Sequence, residues 1–182
     1  LRRSATGLLR IIIENKLIFK LRDLIGFSIR LYEQQGVKIK NDKTEQQVIN
    51  FIKERMRNIL KQKNIKTDII EASVSAHISD NFLDLFKKTI LINKNINKEI
   101  GINAVKSYKR AANILDKADK SISGRPDAVL FRKDEEKLLY EKINEIKKAF
   151  TVKDSNKDYE NLLIKLSQTK GFTDNFFDNV VV

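Results

Sequence analysis

Polar side chains between residues 106 and 117 have the types and the spacing of a phosphate-binding surface. Lys106, Arg110, Asn113 and Lys117 stand at i, i+4, i+7 and i+11, and a helix would align them along one side. Lys109 lies beside them. Lysine and arginine are the usual partners of phosphate groups, and arginine or asparagine can also read an unstacked base. We refer to the predicted contacts as the basic row: Lys106, Lys109, Arg110, Asn113 and Lys117.

A second side of the same helix is apolar. Val105, Tyr108, Ala112 and Leu115 follow each other at three- and four-residue intervals, which predicts a buried face. The basic row is therefore open to two interpretations. It is either a surface for a polyanion or the solvated side of an ordinary amphipathic helix.

The chemistry of an active site is missing from the sequence. His77 is the only histidine, and it has no obvious acid–base partner. The chain contains no cysteine, which excludes disulfides and thiolate metal sites. No glycine-rich phosphate loop is present, and the adjacent acids Glu135 and Glu136 are expected to be solvated. We predict no catalytic residue and no metal ligand in this chain.

Charge favours a polyanionic partner only weakly. The 182 residues carry a net charge of +12, with 16 Lys and Arg against 6 Asp and Glu in residues 1–66. This asymmetry indicates an anionic partner near the first part of the chain. A second interpretation stays open, because a composition rich in Lys, Asn and Ile adds lysines everywhere.

Nothing in the sequence directs the chain to a membrane or out of the cell. No apolar run is long enough to span a bilayer, and no signal peptide is recognisable. We therefore expect a cytoplasmic location. The chain begins at Leu1 without methionine and ends on three valines, which predicts a piece of a longer polypeptide.

The periodicity of the apolar residues predicts an all-α fold. One proline and six glycines argue against a turn-rich β fold. A bundle of about eight helices is expected. Helical segments are predicted within residues 1–15, 17–36, 44–63, 67–77, 80–93, 100–120, 133–150 and 156–171, and a short ninth segment, capped by Thr173 or Asp174, closes the chain. Gly171 is expected to end the helix before it.

Apolar faces on three of these helices predict the core. A polar face of the third helix, with Lys53, Arg57 and Lys61, is expected to be solvated. The predicted core residues include Leu21, Leu24, Ile25 and Tyr32 in the second helix, Val48, Ile52, Met56, Ile59 and Leu60 in the third, and Leu138, Leu139, Ile143, Ile146 and Phe150 in the helix at 133–150.

Several motifs resemble one enzyme family. "SYKRAANILDKA" (107–118) resembles the basic helix of the DALR-type anticodon-binding domain of aminoacyl-tRNA synthetases. "LRRSATGLLRIIIE" at the start, "KRAANIL" in the middle and "TDNFFDNVVV" at the end are similar to the bacterial glycyl-tRNA synthetase beta subunit. The resemblance covers essentially the whole chain and places it in the C-terminal part of that subunit.

This resemblance implies a function and partners. In that family the alpha chain carries the class II catalytic site, with its ATP and magnesium, and the beta chain supplies most of the tRNA contact. The implied assembly is a heterotetramer of two alpha and two beta chains. The resemblance thus implies that the basic row binds glycine tRNA and supports aminoacylation without containing the catalytic site.

The resemblance also implies a domain arrangement and leaves alternatives. Residues 1–40 would be a helical segment that follows an upstream domain, and residues 41–182 an anticodon-binding-like bundle that lacks its last helix. "KRAANIL" alone is equally similar to the arginyl enzyme. A helical protein-interaction scaffold is the alternative from a different functional class, and a stand-alone hydrolase is disfavoured.

Overall fold

The chain is all-α in the computed structural model, which describes residues 1–39, 41–76, 80–117, 124–151 and 158–180. No strand occurs in these ranges, and the predicted fold class is confirmed. One short 3₁₀ helix spans Ala128–Leu130. The α-helices are α1 (Arg2–Glu14), α2 (Leu21–Gln34), α3 (Thr44–Gln62), α4 (Thr67–Ala76), α5 (Phe82–Asn95), α6 (Glu99–Leu115), α7 (Asp134–Phe150) and α8 (Tyr159–Asn179).

The helices form two compact units, Leu1–Asn93 and Lys94–Val182. The resemblance implied a boundary after residue 40, and that domain arrangement stays a prediction. Both α1 and α2 pack against α3, which brings residues on either side of position 40 into the first unit. A helix with one apolar stripe must cover it with a neighbour, and α3 is that neighbour for both.

The first unit is built around α3. Its apolar stripe includes Met56 and Leu60, both fully buried, and Leu9 of α1 is equally inaccessible. The fourth helix also packs on α3 and buries Ile70. Burial of these side chains from α1, α3 and α4 gives the unit its hydrophobic core.

Polar contacts fix where α2 and α5 begin. The backbone N–H of Leu21 donates to the carbonyl oxygen of Asp80 over 3.0 Å, and the Arg22 guanidinium pairs with the Asp80 carboxylate at 2.9 Å and with Glu45. Asn81 caps α5, because its side-chain oxygen accepts from the backbone N–H of Asp84 over 3.1 Å. The predicted cap was Ser79 or Asp80. Ser79 lies outside the described residues.

The second unit is organised by α8, which packs against α6 and against α7. Between α7 and α8, the Glu145 carboxylate accepts from Lys142 over 2.9 Å and from Lys165. Hydrogen bonds from these two ammonium groups lower the pKa of Glu145 from 4.5 to about 2. The carboxylate is thus held ionised between the two helices.

Two helix ends differ from the sequence prediction. The sixth helix ends at Leu115, with Asp116 and Lys117 in a turn after it, instead of continuing to residue 120. The eighth helix runs through Gly171 to Asn179, although glycine was predicted to end it. Glycine inside a helix costs only about 1 kcal/mol relative to alanine, which the packing of α8 against two helices can offset.

Several residues predicted to form the core are exposed. Leu24 and Tyr32 of α2 are 42% and 55% exposed, and Leu138 and Phe150 of α7 are about half exposed. The second helix packs mainly on α3, and α7 mainly on α8. A helix with one main neighbour buries a narrow stripe, so apolar residues beside that stripe remain at the surface.

Candidate nucleic-acid interface

Most of the basic row lies on one exposed side of α6. Lys106, Lys109 and Asn113 are exposed in α6, and Lys117 is exposed in the turn that follows. None of these four side chains forms a hydrogen bond or ion pair with another described residue. Lys106 and Asn113 are separated by about 10 Å along the helix axis. All four side chains are exposed, and their role as ligand contacts stays a prediction.

Arg110 differs from the rest of the row. Its side chain is about one-third exposed, and its guanidinium bridges α6 to α8. One terminal nitrogen donates to Asp174 Oδ1 over 2.8 Å and the other to Asp178 Oδ1 over 2.5 Å. The same guanidinium lies 5.5 Å from the centre of the Phe177 ring. These contacts join α6 to α8.

The bridge between Arg110 and α8 is electrostatically balanced. Asp174 accepts a second hydrogen bond, from Lys170 one turn earlier, over 2.6 Å. Hydrogen bonds from Lys170 and from Arg110 lower the pKa of Asp174, and hydrogen bonds to Asp178 and Asp174 raise the pKa of Arg110. Asp174 and Arg110 therefore remain charged at neutral pH. Because its charge is already matched by two carboxylates, Arg110 is a poor phosphate ligand in this conformation.

A buried hydroxyl cluster lies one turn from this bridge. Ser107 Oγ is 2.9 Å from Thr169 Oγ1 and 3.0 Å from Thr173 Oγ1, and all three residues are buried. Thr169 also donates to the carbonyl oxygen of Leu166 over 2.5 Å. The sequence analysis did not find this cluster. Its available signal was the i, i+4 spacing of the two threonines on α8.

The buried side of α6 is not the side that the sequence predicted. Tyr108 is 73% exposed and Leu115 is 71% exposed, although both were predicted to be buried. Ser107 and Gly101 are the buried residues of the helix. A side with small residues lets two helices approach closely, and the buried hydroxyl cluster adds hydrogen bonds that an aromatic side would not provide. The prediction for Tyr108 and Leu115 was wrong.

The "FFDNV" motif at the end of α8 braces the interface with α6. Phe176 and Phe177 are half-buried and meet edge to face, with ring centres 5.0 Å apart. Asp178 holds Arg110, and the Lys133 side chain donates to the carbonyl oxygen of Asn179. Asp178 and Asn179 of this motif thus join the end of α8 to neighbouring segments.

Other candidate residues are less available to a ligand. In α3, Arg57 donates to both carboxylate oxygens of Glu71, at 3.0 and 3.1 Å, and to Glu54 at 2.6 Å. His77 lies outside the described residues.

Within the described ranges, no group of three or more histidine, cysteine or acidic residues is arranged to hold a metal ion. No helix in these ranges is both long and apolar enough to cross a membrane.

The described part of the chain is thus all-α, and α6 with the turn after it presents an exposed cationic face. Residues 1–75 match the family described as "Glycyl-tRNA synthetase beta subunit". That match ends before α6, which carries the resemblance to the anticodon-binding domain. The family match therefore covers most of the first compact unit and none of the basic row.

Whole-chain similarity extends to the same kind of protein. All 182 residues align with the glycine–tRNA ligase beta subunits of Rickettsia africae and Rickettsia canadensis at 36% identity, and of Rickettsia prowazekii at 35%. The chain spans about a quarter of the length of these relatives, 26% in each case. Over its whole length the chain is thus similar to part of the glycine–tRNA ligase beta subunits.

Proposed function

We propose that this chain is the tRNA-binding, anticodon-recognising part of a glycine–tRNA ligase beta subunit. The proposal is supported by its similarity to beta subunits over all 182 residues. The single observation that carries the binding role is the exposed row on α6 and the turn after it, in which three lysines and an asparagine have no partner among the described residues. Unpaired cations on a rigid helix can neutralise phosphates without first breaking an internal ion pair.

The members of the basic row have different roles in this proposal. Lys106, Lys109 and Lys117 contact the tRNA backbone, and Asn113 lies close enough to them to reach the edge of an unstacked base. Arg110 acts as a positioning residue, because its guanidinium already pairs with Asp174 and Asp178. It holds α6 against α8 and thereby orients the other four side chains.

The complete protein has further partners in this proposal. Two beta chains assemble with two alpha chains, and the alpha chain binds ATP and magnesium for the synthesis of glycyl-tRNA in the cytoplasm. The residues of this chain support that reaction by binding tRNA. They contribute no catalytic group of their own.

A salt titration of tRNA binding tests the role of the basic row. The purified protein is compared with Lys106→Ala, Lys109→Ala and Lys117→Ala, singly and together, for binding to glycine tRNA. Each lost phosphate contact should weaken binding and reduce the slope of log K against log salt concentration by about 0.7. Lys147→Ala on α7 is the matched control, since it removes an exposed lysine from the same unit.

Two further variants separate the remaining roles. Asn113→Ala should weaken binding by about 1–3 kcal/mol for glycine tRNA and much less for a tRNA with another anticodon. Arg110→Ala should lower the thermal stability while leaving the salt slope unchanged. Unchanged affinity and slope in the triple lysine variant, with the helical content intact, would contradict the proposed function. A reduced slope in Arg110→Ala would make Arg110 a direct phosphate contact.

A further inference from the structure

We infer that Tyr108 is a stacking platform for one unpaired base of the bound RNA. This inference rests on the proposed function and extends it, since it names an additional contact residue outside the basic row. Tyr108 was predicted to belong to the core, yet 73% of it is exposed to solvent. An exposed aromatic ring beside exposed cations is the combination that proteins use to bind single-stranded RNA.

The ring of Tyr108 is free to accept a base. Other aromatic residues of the same unit are already paired: Tyr140 meets Phe131 edge to face at 5.3 Å, and Phe176 meets Phe177. Tyr108 makes no such ring contact with any described residue. The residues one turn away on either side are small, with the result that no long side chain covers the ring: Ala104, Val105, Ala111 and Ala112.

The positions of the cations fit a nucleotide that crosses α6. On a helical projection, Val105 and Ala112 lie between Tyr108 and Lys109, and Lys106 and Asn113 follow Lys109 around the helix. The two intervening side chains are short. A base stacked on Tyr108 can therefore remain attached to a backbone whose phosphates reach Lys109 and Lys106.

Charge favours RNA over an apolar protein surface as the occupant. Leu115 is 71% exposed and lies two turns after Tyr108 on the same line of α6, so that the two could also form a small apolar patch. The side next to this line carries Lys106, Lys109 and Lys117, with Asp116 and Glu99 as its acids. The bases of a nucleic acid can stack on the exposed ring, and its phosphates can neutralise the excess of cations.

Substitutions at Tyr108 test stacking by the chemistry that each one keeps. Tyr108→Ala should weaken binding of glycine tRNA by about 5- to 150-fold, the usual loss for one stacked base. Tyr108→Phe retains the ring and should bind like the wild type. Tyr108→Leu retains apolar surface without a flat ring and should bind like the alanine variant. Because no phosphate contact is lost, the salt slope should be unchanged in all three, unlike that of Lys109→Ala.

Matched controls come from two other exposed residues. Leu115→Ala removes exposed apolar surface from the same line of α6, and Tyr32→Ala removes a tyrosine that is 55% exposed on α2. Neither should weaken tRNA binding. Two results would overturn base stacking in favour of an apolar contact. One is a loss of tRNA affinity in Leu115→Ala as large as that in Tyr108→Ala. The other is a Tyr108→Leu variant that binds tRNA like the wild type.

The outcomes separate this inference from the proposed function. If the lysine variants weaken tRNA binding and Tyr108→Ala does not, the inference is wrong and the proposed function stands. If the wild type does not bind glycine tRNA, the proposed function fails. The same variants are then measured with a single-stranded oligouridylate, because stacking tolerates any base. Binding that depends on Tyr108 would support the stacking site by itself, and no binding would overturn it as well.

Discussion

Ser107 illustrates how one small residue decides the orientation of a helix. Its hydroxyl is buried, and two threonine hydroxyls of α8 lie within 3.0 Å of it. A buried hydroxyl without a partner costs free energy, and the three groups together satisfy one another. The side of α6 that carries Ser107 therefore faces α8, and the side that carries Lys106 and Lys109 faces solvent.

Replacing Ser107 by alanine should lower the free energy of unfolding by about 1–3 kcal/mol. The substitution leaves Thr173 without this hydrogen-bond partner inside the interface between α6 and α8. Urea denaturation followed by circular dichroism measures the change. Ser28→Ala is the control, because the Ser28 hydroxyl is exposed and its loss should change stability by no more than about 0.5 kcal/mol. Equal effects of the two substitutions would show that the cluster contributes nothing.

The position of α6 in the second unit depends on a close backbone approach at Gly101. Gly101 lies in α6 next to the preceding turn, where an added Cβ would be 2.2 Å from the carbonyl oxygen of Asn95 and 2.7 Å from Cα of Ile96. Both are backbone atoms, which cannot rotate away. Only glycine fits at this point, and this explains how α6 can begin so soon after α5.

Alanine at the two helical glycines of this unit should have opposite effects. Gly101→Ala should destabilise the fold by about 1–3 kcal/mol, since the Cβ must displace backbone. Gly171→Ala should stabilise it by about 0.5–1 kcal/mol, because the position is inside α8 and nothing lies within 4 Å of the added atom. Urea denaturation of both variants measures the difference. A destabilised Gly171→Ala would mean that α8 is not continuous at this residue.

The ion pairs between α7 and α8 predict a dependence of stability on pH. The folded-state pKa of Glu145 is about 2, below the ordinary value of 4.5, because Lys142 and Lys165 donate to its carboxylate. A lowered folded pKa stabilises the native state above about pH 4.5, and this contribution is lost as pH falls towards 2. As pH falls from about 4.5 towards 2, the stability of Glu145→Gln should therefore decrease less than that of the wild type.

Thermal unfolding at several pH values measures this effect. Glu141→Gln is the matched control, because it removes the same charge from α7 at a residue that makes no ion pair with any described residue. Its stability should follow that of the wild type as pH falls. If Glu145→Gln shows the same pH dependence as the wild type, the ion pairs with Lys142 and Lys165 do not persist in solution.

On the scale of the whole molecule, we expect binding without catalysis. The purified chain alone should not catalyse glycine-dependent exchange between ATP and pyrophosphate. The reason is the division of labour in the proposed function, in which the alpha chain activates glycine and this chain holds tRNA. Adding the alpha subunit provides the positive control. Exchange by the chain alone, with a rate that follows its concentration through repurification, would contradict the prediction.

The sequence alone determined the local features of this protein. Apolar residues at three- and four-residue intervals identified the helices, because the period of an α-helix is a local property. The same regularity predicted Lys106, Lys109, Asn113 and Lys117 on one side of a helix, and all four are exposed in the structure. Their exposure followed the general tendency of lysine to remain in water.

Only the tertiary structure decided which sides of the helices are buried and which charges are paired. Ser107 is hydrogen-bonded to Thr169, which lies 62 residues later in the sequence. Arg110 is hydrogen-bonded to Asp178, which lies 68 residues later. No local pattern reveals such partners, because the facing sides of two helices are set by shape and hydrogen bonding between them. This explains why Tyr108 was predicted to be buried and is exposed. It also explains why Arg110, predicted to bind phosphate, is occupied by two carboxylates of α8.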